Sequence, residues 1–223
     1  VNWFGRHVST RVLDYSWAYR VRLSSRGRLP PPEFRDGNRR PLILLPGVYE
    51  TWHFLEAVAS RLHELGHPVH VIPGFGRNLL PIAEMAELTR RYLVDNDIVD
   101  VAVVAHSKGG LIGKAVMLTP EGAARVRCLV AINSPFSGSD YAHLVPIPRL
   151  REFIPTHETI VTLARNREVN ARITSIYSVW DPIIPNGSLL EGATNVLLPT
   201  PGHFRLLDRE DLLRAVSLAV NDS

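Results

Sequence analysis

The stretch Ala105-His106-Ser107-Lys108-Gly109-Gly110 places a serine where the apolar run Val101-Ala102-Val103-Val104-Ala105 ends and a helical pattern with Leu111, Ile112, Ala115 and Val116 begins. This is the setting of a nucleophile elbow, G-x-S-x-G, with Ala105 in place of the first glycine. The backbone turns so sharply there that residues two before and two after the serine must be small, and Ala105 and Gly109 meet that demand. Unpaired N–H groups at the start of the helix would face the negative charge that forms beside Ser107. A serine hydroxyl is too weak an acid to attack unaided, so a histidine base and an orienting carboxylate are needed, in the chain order Ser, Asp, His for this kind of elbow. Asp181, in the turn Asp181-Pro182-Ile183-Ile184-Pro185, and His203, in Pro201-Gly202-His203-Phe204, follow in that order. No other histidine follows Asp181. His106 adjoins the serine, but neighbours in an elbow point in different directions. Asp208 and Asp211 come after His203 and are poorer partners for it than Asp181.

Acyl chemistry also needs donors for an oxyanion, each worth about 2.7–4 kcal/mol. The backbone N–H of Lys108, the residue after the serine, is one. The second is expected from Leu45-Pro46-Gly47-Val48-Tyr49, where Gly47 allows close backbone approach and Val48 supplies the N–H, with Tyr49 its nearest rival.

Elements must bring these distant residues together. From Pro41 onward, short apolar runs at 42–45, 69–72, 101–105, 129–132, 173–179 and 194–198 alternate with helical patterns at 52–62, 80–96 and 111–116 and in a final helix with Leu206, Leu207, Leu212, Leu213, Val216 and Ala219. That alternation predicts βαβ units: a mostly parallel sheet with helices on both faces. Ser107, Asp181 and His203 then all lie beyond strand ends, on one edge of the sheet. Residues 134–168 break the rhythm with five prolines and glycines spread along them and read as a short cap insertion. Tyr49, Phe136, Tyr141, Leu144 and Phe204 are the candidate substrate contacts.

Several stretches resemble the α/β-hydrolase family, and within it the small bacterial lipases and esterases, over about residues 41–220. They are Leu45-Pro46-Gly47, the elbow, Asn133-Ser134-Pro135-Phe136-Ser137-Gly138-Ser139, and Gly202-His203-Phe204-Arg205-Leu206-Leu207. The resemblance implies a Ser107–His203–Asp181 triad that hydrolyses a carboxylic ester or acylglycerol through an acyl-enzyme. Pro46 and Lys108 depart from the histidine and methionine common in such enzymes. The same triad would serve thioester or amide hydrolysis or acyl transfer, and a non-catalytic membrane-surface or partner-binding role is the rival of another class. No cofactor or metal is expected: the histidines are scattered, no H-E-x-x-H occurs, and Gly74-Phe75-Gly76 lacks the third glycine of a dinucleotide loop.

The 223 residues fit one catalytic domain, 41–223, preceded by a basic helix and linker, 1–40. The net charge of +3 conceals a division: residues 1–40 hold nine arginines against three acids, net +6, and the remainder carries 16 basic against 19 acidic residues, net −3. Basicity confined to a leader argues against a nucleic-acid partner. The leader places Phe4, Val8, Val12, Tyr15 and Tyr19 at helical spacing before Pro30-Pro31-Pro32. It reads as a helix docked on the domain, with peripheral membrane contact through residues 1–28, Trp3, Phe4 and Trp17 at the boundary, as the alternative. Cys128 is alone, which excludes an internal disulfide. With no apolar run of membrane-spanning or signal length, the expected location is cytoplasmic, membrane-associated if the leader is an anchor.

Overall fold

Strands whose two faces are both buried must be apolar throughout, and the four-residue run Leu42–Leu45 is wholly buried. It is β1 of a six-stranded sheet in this computed structural model, which describes residues 3–25 and 28–222, with side chains from residue 8 onward. The others are β2 (Val69–Val71), β3 (Val101–His106), β4 (Val126–Ile132), β5 (Ile173–Ser178) and β6 (Thr194–Leu198). Every adjacent pair is parallel and the order is β2-β1-β3-β4-β5-β6.

The helices are α1 (Trp3–Ser24), α2 (Glu56–Glu64), α3 (Ile82–Asp95), α4 (Lys108–Met117), α5 (Pro120–Arg125), α6 (Tyr141–Leu144), α7 (Glu158–Arg165) and α8 (Glu210–Asn221). The two-residue period of the strands divides the core between them. Ile43, Leu45, Val103, Ala105, Leu129 and Ala131 face α3, α4 and α7, whereas Leu42, Leu44, Val104, Val130 and Ile132 face α2 and α8. Burying each such leucine, isoleucine or valine is worth about 1.5–3 kcal/mol. Two helices, α5 and α7, escape the sequence patterns because each is short. Within residues 134–168, α7 packs into the core through Ile160 and Leu163, alongside Ala142 of α6 and Phe153 of the 3-10 turn Pro148–Phe153.

The leader docks, though not on the expected stripe. Val8, Val12, Tyr15 and Tyr19 are exposed, and the buried face of α1 is Thr10, Asp14 and Trp17. Trp17 meets Phe54 edge to face and donates from Nε1 to Asp208 Oδ2 at 2.6 Å. Beyond the prolines, Phe34 is buried against Trp52, so the linker is pinned to the core as well. The side chains of Trp3 and Phe4 lie outside the described residues. No helix among the described residues is long and apolar enough to cross a membrane.

Candidate active site

The carboxyl ends of β1, β3, β4, β5 and β6 converge on one edge. At the β3–α4 junction Ser107 takes φ 51°, ψ −120°, a left-handed conformation rare outside glycine and a sign of stored backbone strain. The close turn presses α4 onto the end of β1: a Cβ on Gly109 would lie 1.9 Å from the Leu45 carbonyl oxygen. Ala105 is fully buried beside Ala131 on the neighbouring strand.

Beyond β6, His203 is almost wholly buried and its Nδ1 lies 2.6 Å from Asp181 Oδ2. The other oxygen of Asp181 accepts the N–H groups of Ile183 at 2.8 Å and Ile184 at 3.0 Å. Burial opposes charging of the His203 imidazole, but Asp181, through its charge and its hydrogen bond, outweighs it, with Glu50 and Asp14 adding negative charge nearby. The net effect raises the His203 pKa above the ordinary imidazole value of 6.5. Ser107 and His203 line the same cavity, of about 690 Å³.

The loop after β1 is built to leave one amide free. Tyr49 N–H donates to the Arg77 carbonyl at 2.8 Å, and Gly47 N–H to Glu50 Oε2 at 2.7 Å. Asn78 Nδ2 props the Pro46 carbonyl at 2.7 Å. Val48 lies between them on the cavity wall, and neither its N–H nor that of Lys108 is spent on an acceptor among the described residues. The Lys108 side chain turns away from the cavity and caps the Leu80 carbonyl, where burial pushes its pKa down to about 8.

Of the candidate substrate contacts, Tyr49, Tyr141 and Phe204 line the cavity. Two do not. Phe136 is packed into the core, and Leu144 is 79% exposed because the single turn of α6 directs Tyr141, Ala142 and Val145 inward and Leu144 to the opposite side. Much of the remaining wall is apolar, with Val145, Ile147, Leu150 and Phe153 from the cap facing Phe54 and Phe204. The rim includes Tyr15, Tyr19 and Arg22 of α1. Tyr15 keeps 48% of its surface exposed, yet its ring lies 6.1 Å from that of Phe204 and it shares the cavity wall with Tyr141 of α6, so leader and insertion meet there. The half that is buried and the Tyr141 hydroxyl push its pKa up to about 12.

Four residues support the site in roles that the sequence did not assign to them. Glu50 holds Gly47 and also meets His106 Nδ1 at 2.9 Å. His106 Nε2 reaches the His203 carbonyl at 3.0 Å, so both ring nitrogens are engaged and neither is open to Ser107. Glu50, His106 and His203 bring ligand-type atoms within 4.8 Å of one another, and the same residues are joined by the hydrogen bonds of His106 to Glu50 and of His203 to Asp181. Asn133 spans three strand ends, donating to the Gly202 and His203 carbonyls and accepting Ser178 N–H. Asp14 is the fourth. Its one legible signal is that it is the sole acid in the arginine-bearing helix α1.

No family model matches the chain, and no curated protein matches it. Solved structures do. A Bacillus licheniformis lipase, BlEst2, in mature form matches with TM-score 0.64 at 12% identity, covering 86% of this chain and 94% of that one. An extracellular α/β-hydrolase from a Paenibacillus species matches with TM-score 0.57 at 15% identity, covering 82% and 98%. A predicted hydrolase of Thermoplasma acidophilum matches with TM-score 0.59 at 16% identity, covering 83% and 88%. The chain has the α/β-hydrolase fold.

Proposed function

We propose that the protein is a serine hydrolase that cleaves carboxylic esters of apolar acyl groups through an acyl-enzyme. The observation that carries this reading is the left-handed Ser107 at the strand–helix turn, sharing a cavity with a His203 whose Nδ1 is held 2.6 Å from Asp181. In this reading Nε2 of His203 takes the hydroxyl proton as Ser107 Oγ attacks the ester carbonyl, and Asp181 steadies the imidazolium. The Val48 and Lys108 amides, unspent on protein acceptors, receive the oxyanion. His203 returns the proton to the leaving alcohol, and water then repeats the sequence on the acyl-enzyme. The apolar cavity wall favours an acyl chain over a polar substrate.

The triad does not select the leaving group, so thioesters, amides and acyl transfer remain the alternatives to test beside esters. Purified protein assayed on p-nitrophenyl esters of increasing acyl length, against an acyl thioester and an anilide, ranks them. Ser107→Ala should lower kcat by about 10⁴-fold or more with the fold intact. Equal activity in the two proteins would refute the assignment.

The same reading extends to where substrate comes from. The outward face of α1 carries Val12, Tyr15 and Tyr19 with Arg20 and Arg22, and it adjoins the cavity mouth. An anionic lipid surface suits such a face, whose apolar side chains insert while the arginines meet headgroups.

A further inference from the structure

We propose that Asp14 of the N-terminal helix is a positioning residue for the catalytic base, so that α1 is part of the active site. This rests on the assignment of Ser107 and His203 above. The Asp14 side chain is 0% exposed and its two oxygens accept three consecutive backbone N–H groups: His203 at 3.0 Å, Phe204 at 2.8 Å and Arg205 at 2.9 Å. A loop of successive amides turned to one point is a concave anion site, and a buried carboxylate is the strong acceptor for it. Gly202 shows that the fit is specific. Its φ is +120°, and a Cβ there would lie 2.6 Å from Asp14 Oδ1, so only glycine lets the carboxylate in.

From the opposite side, the same short segment is held by His106 and Asn133 on the His203 carbonyl and by Gly202 N–H on the Trp180 carbonyl at 2.8 Å. Without Asp14 the amide side of the loop would lose its anchor. Its buried N–H groups would be left unpaired, each losing its hydrogen bond without regaining water. A small displacement of the imidazole from Ser107 is then enough to reduce turnover steeply. The charge matters as well as the geometry. Asp181, Glu50, Asp14 and the His106 ring surround the His203 imidazole, and the three carboxylates favour its charged form.

Asp14→Asn tests this in the full-length protein. With Oδ1 retained for Phe204 and Arg205, the amide group faces His203 N–H, donor against donor. The expected result is a kcat lowered about 10- to 100-fold, a KM little changed, and an acid limb of kcat/KM moved to lower pH because a negative charge has left the base. Asp14→Glu keeps the charge and shifts its position, so kcat should fall with the acid limb in place. Ser24→Ala, exposed at the far end of the same helix, should match wild type throughout. An Asp14→Asn enzyme with wild-type kcat would overturn the proposal. So would a loss of activity with an unmoved acid limb that only tracks the unfolded fraction measured by circular dichroism. If Asp14→Asn cannot be obtained folded, Asp14→Glu carries the test, and an unchanged kcat overturns it. Failure here is distinct from failure of the triad, because an active Ser107→Ala enzyme would remove the triad itself, whereas an inactive one beside a fully active Asp14→Asn removes only the role of Asp14.

Discussion

The two oxygens of Asp181 divide their work, one ordering the Ile183–Ile184 turn and the other holding His203 Nδ1, so one carboxylate serves both the turn and the histidine. The turn role explains how a carboxylate on a loop is kept in place. The pKa consequence can be checked. A base acts when neutral, and because the folded protein raises the His203 pKa above 6.5, activity should fail at a higher pH than for a free imidazole. The acid limb of kcat/KM is therefore expected to have its midpoint above 6.5. A midpoint at or below that value would contradict the observed surroundings of the ring. Sign matters for stability too: a raised histidine pKa contributes stability that is fully present below 6.5 and is lost as pH rises through the folded value. The enzyme should therefore be catalytically weaker on the acid side, where this one group stabilises it most. At this scale the sequence singled out Ser107, Asp181 and His203 through order and turn chemistry, and the structure brings Asp181 against His203 and puts Ser107 and His203 on one cavity. The sequence concealed Glu50, Asn133 and Asp14, whose partners, Gly47 apart, are backbone groups or side chains 45 to 191 positions away.

At the scale of elements, the junction of β3 and α4 controls the site. Gly109 is where the helix crosses the β1 end, and Gly110 is where it meets Ser134, whose Oγ would be 2.1 Å from an added Cβ. Gly109→Ala cannot be absorbed by a flexible side chain because the obstacle is the Leu45 main chain. It should cost at least about 1–3 kcal/mol as overpacking and displace the Val48 loop that follows Leu45. Urea denaturation combined with the ester assay would detect both effects. A fully active, equally stable Gly109→Ala would show that α4 can withdraw from β1. The central strands β1 and β3 and most of β4 were readable because short continuous apolar runs suit a sheet buried on both faces. Short α7 was not, since eight residues inside a proline-bearing segment give too few turns for a helical period to stand out.

For the molecule as a whole, the division of charge acquires a physical meaning. The basic leader lies on an acidic domain. Its helix α1 turns that helix's single acid, Asp14, inward to the His203 loop and leaves Val12, Tyr19, Arg20 and Arg22 exposed, with Tyr19 and Arg22 at the cavity mouth. If that outer face meets lipid, sedimentation with phosphatidylglycerol vesicles should exceed that with phosphatidylcholine vesicles and fall at high salt, each arginine near the surface contributing about 1 kcal/mol. Val12→Ser combined with Tyr19→Ser should reduce it further, and equal sedimentation of both proteins with both vesicles would remove the lipid reading. The amino-acid sequence by itself determined the parallel α/β architecture, the elbow and the order of the site residues, because these follow from local periodicity, side-chain size and turn chemistry. Only the tertiary structure decided which face of the leader is buried. An amphipathic stripe records where apolar residues lie, and it carries no sign of a distant loop with three amides that need a carboxylate. That demand turned Asp14 into the core and left the stripe exposed.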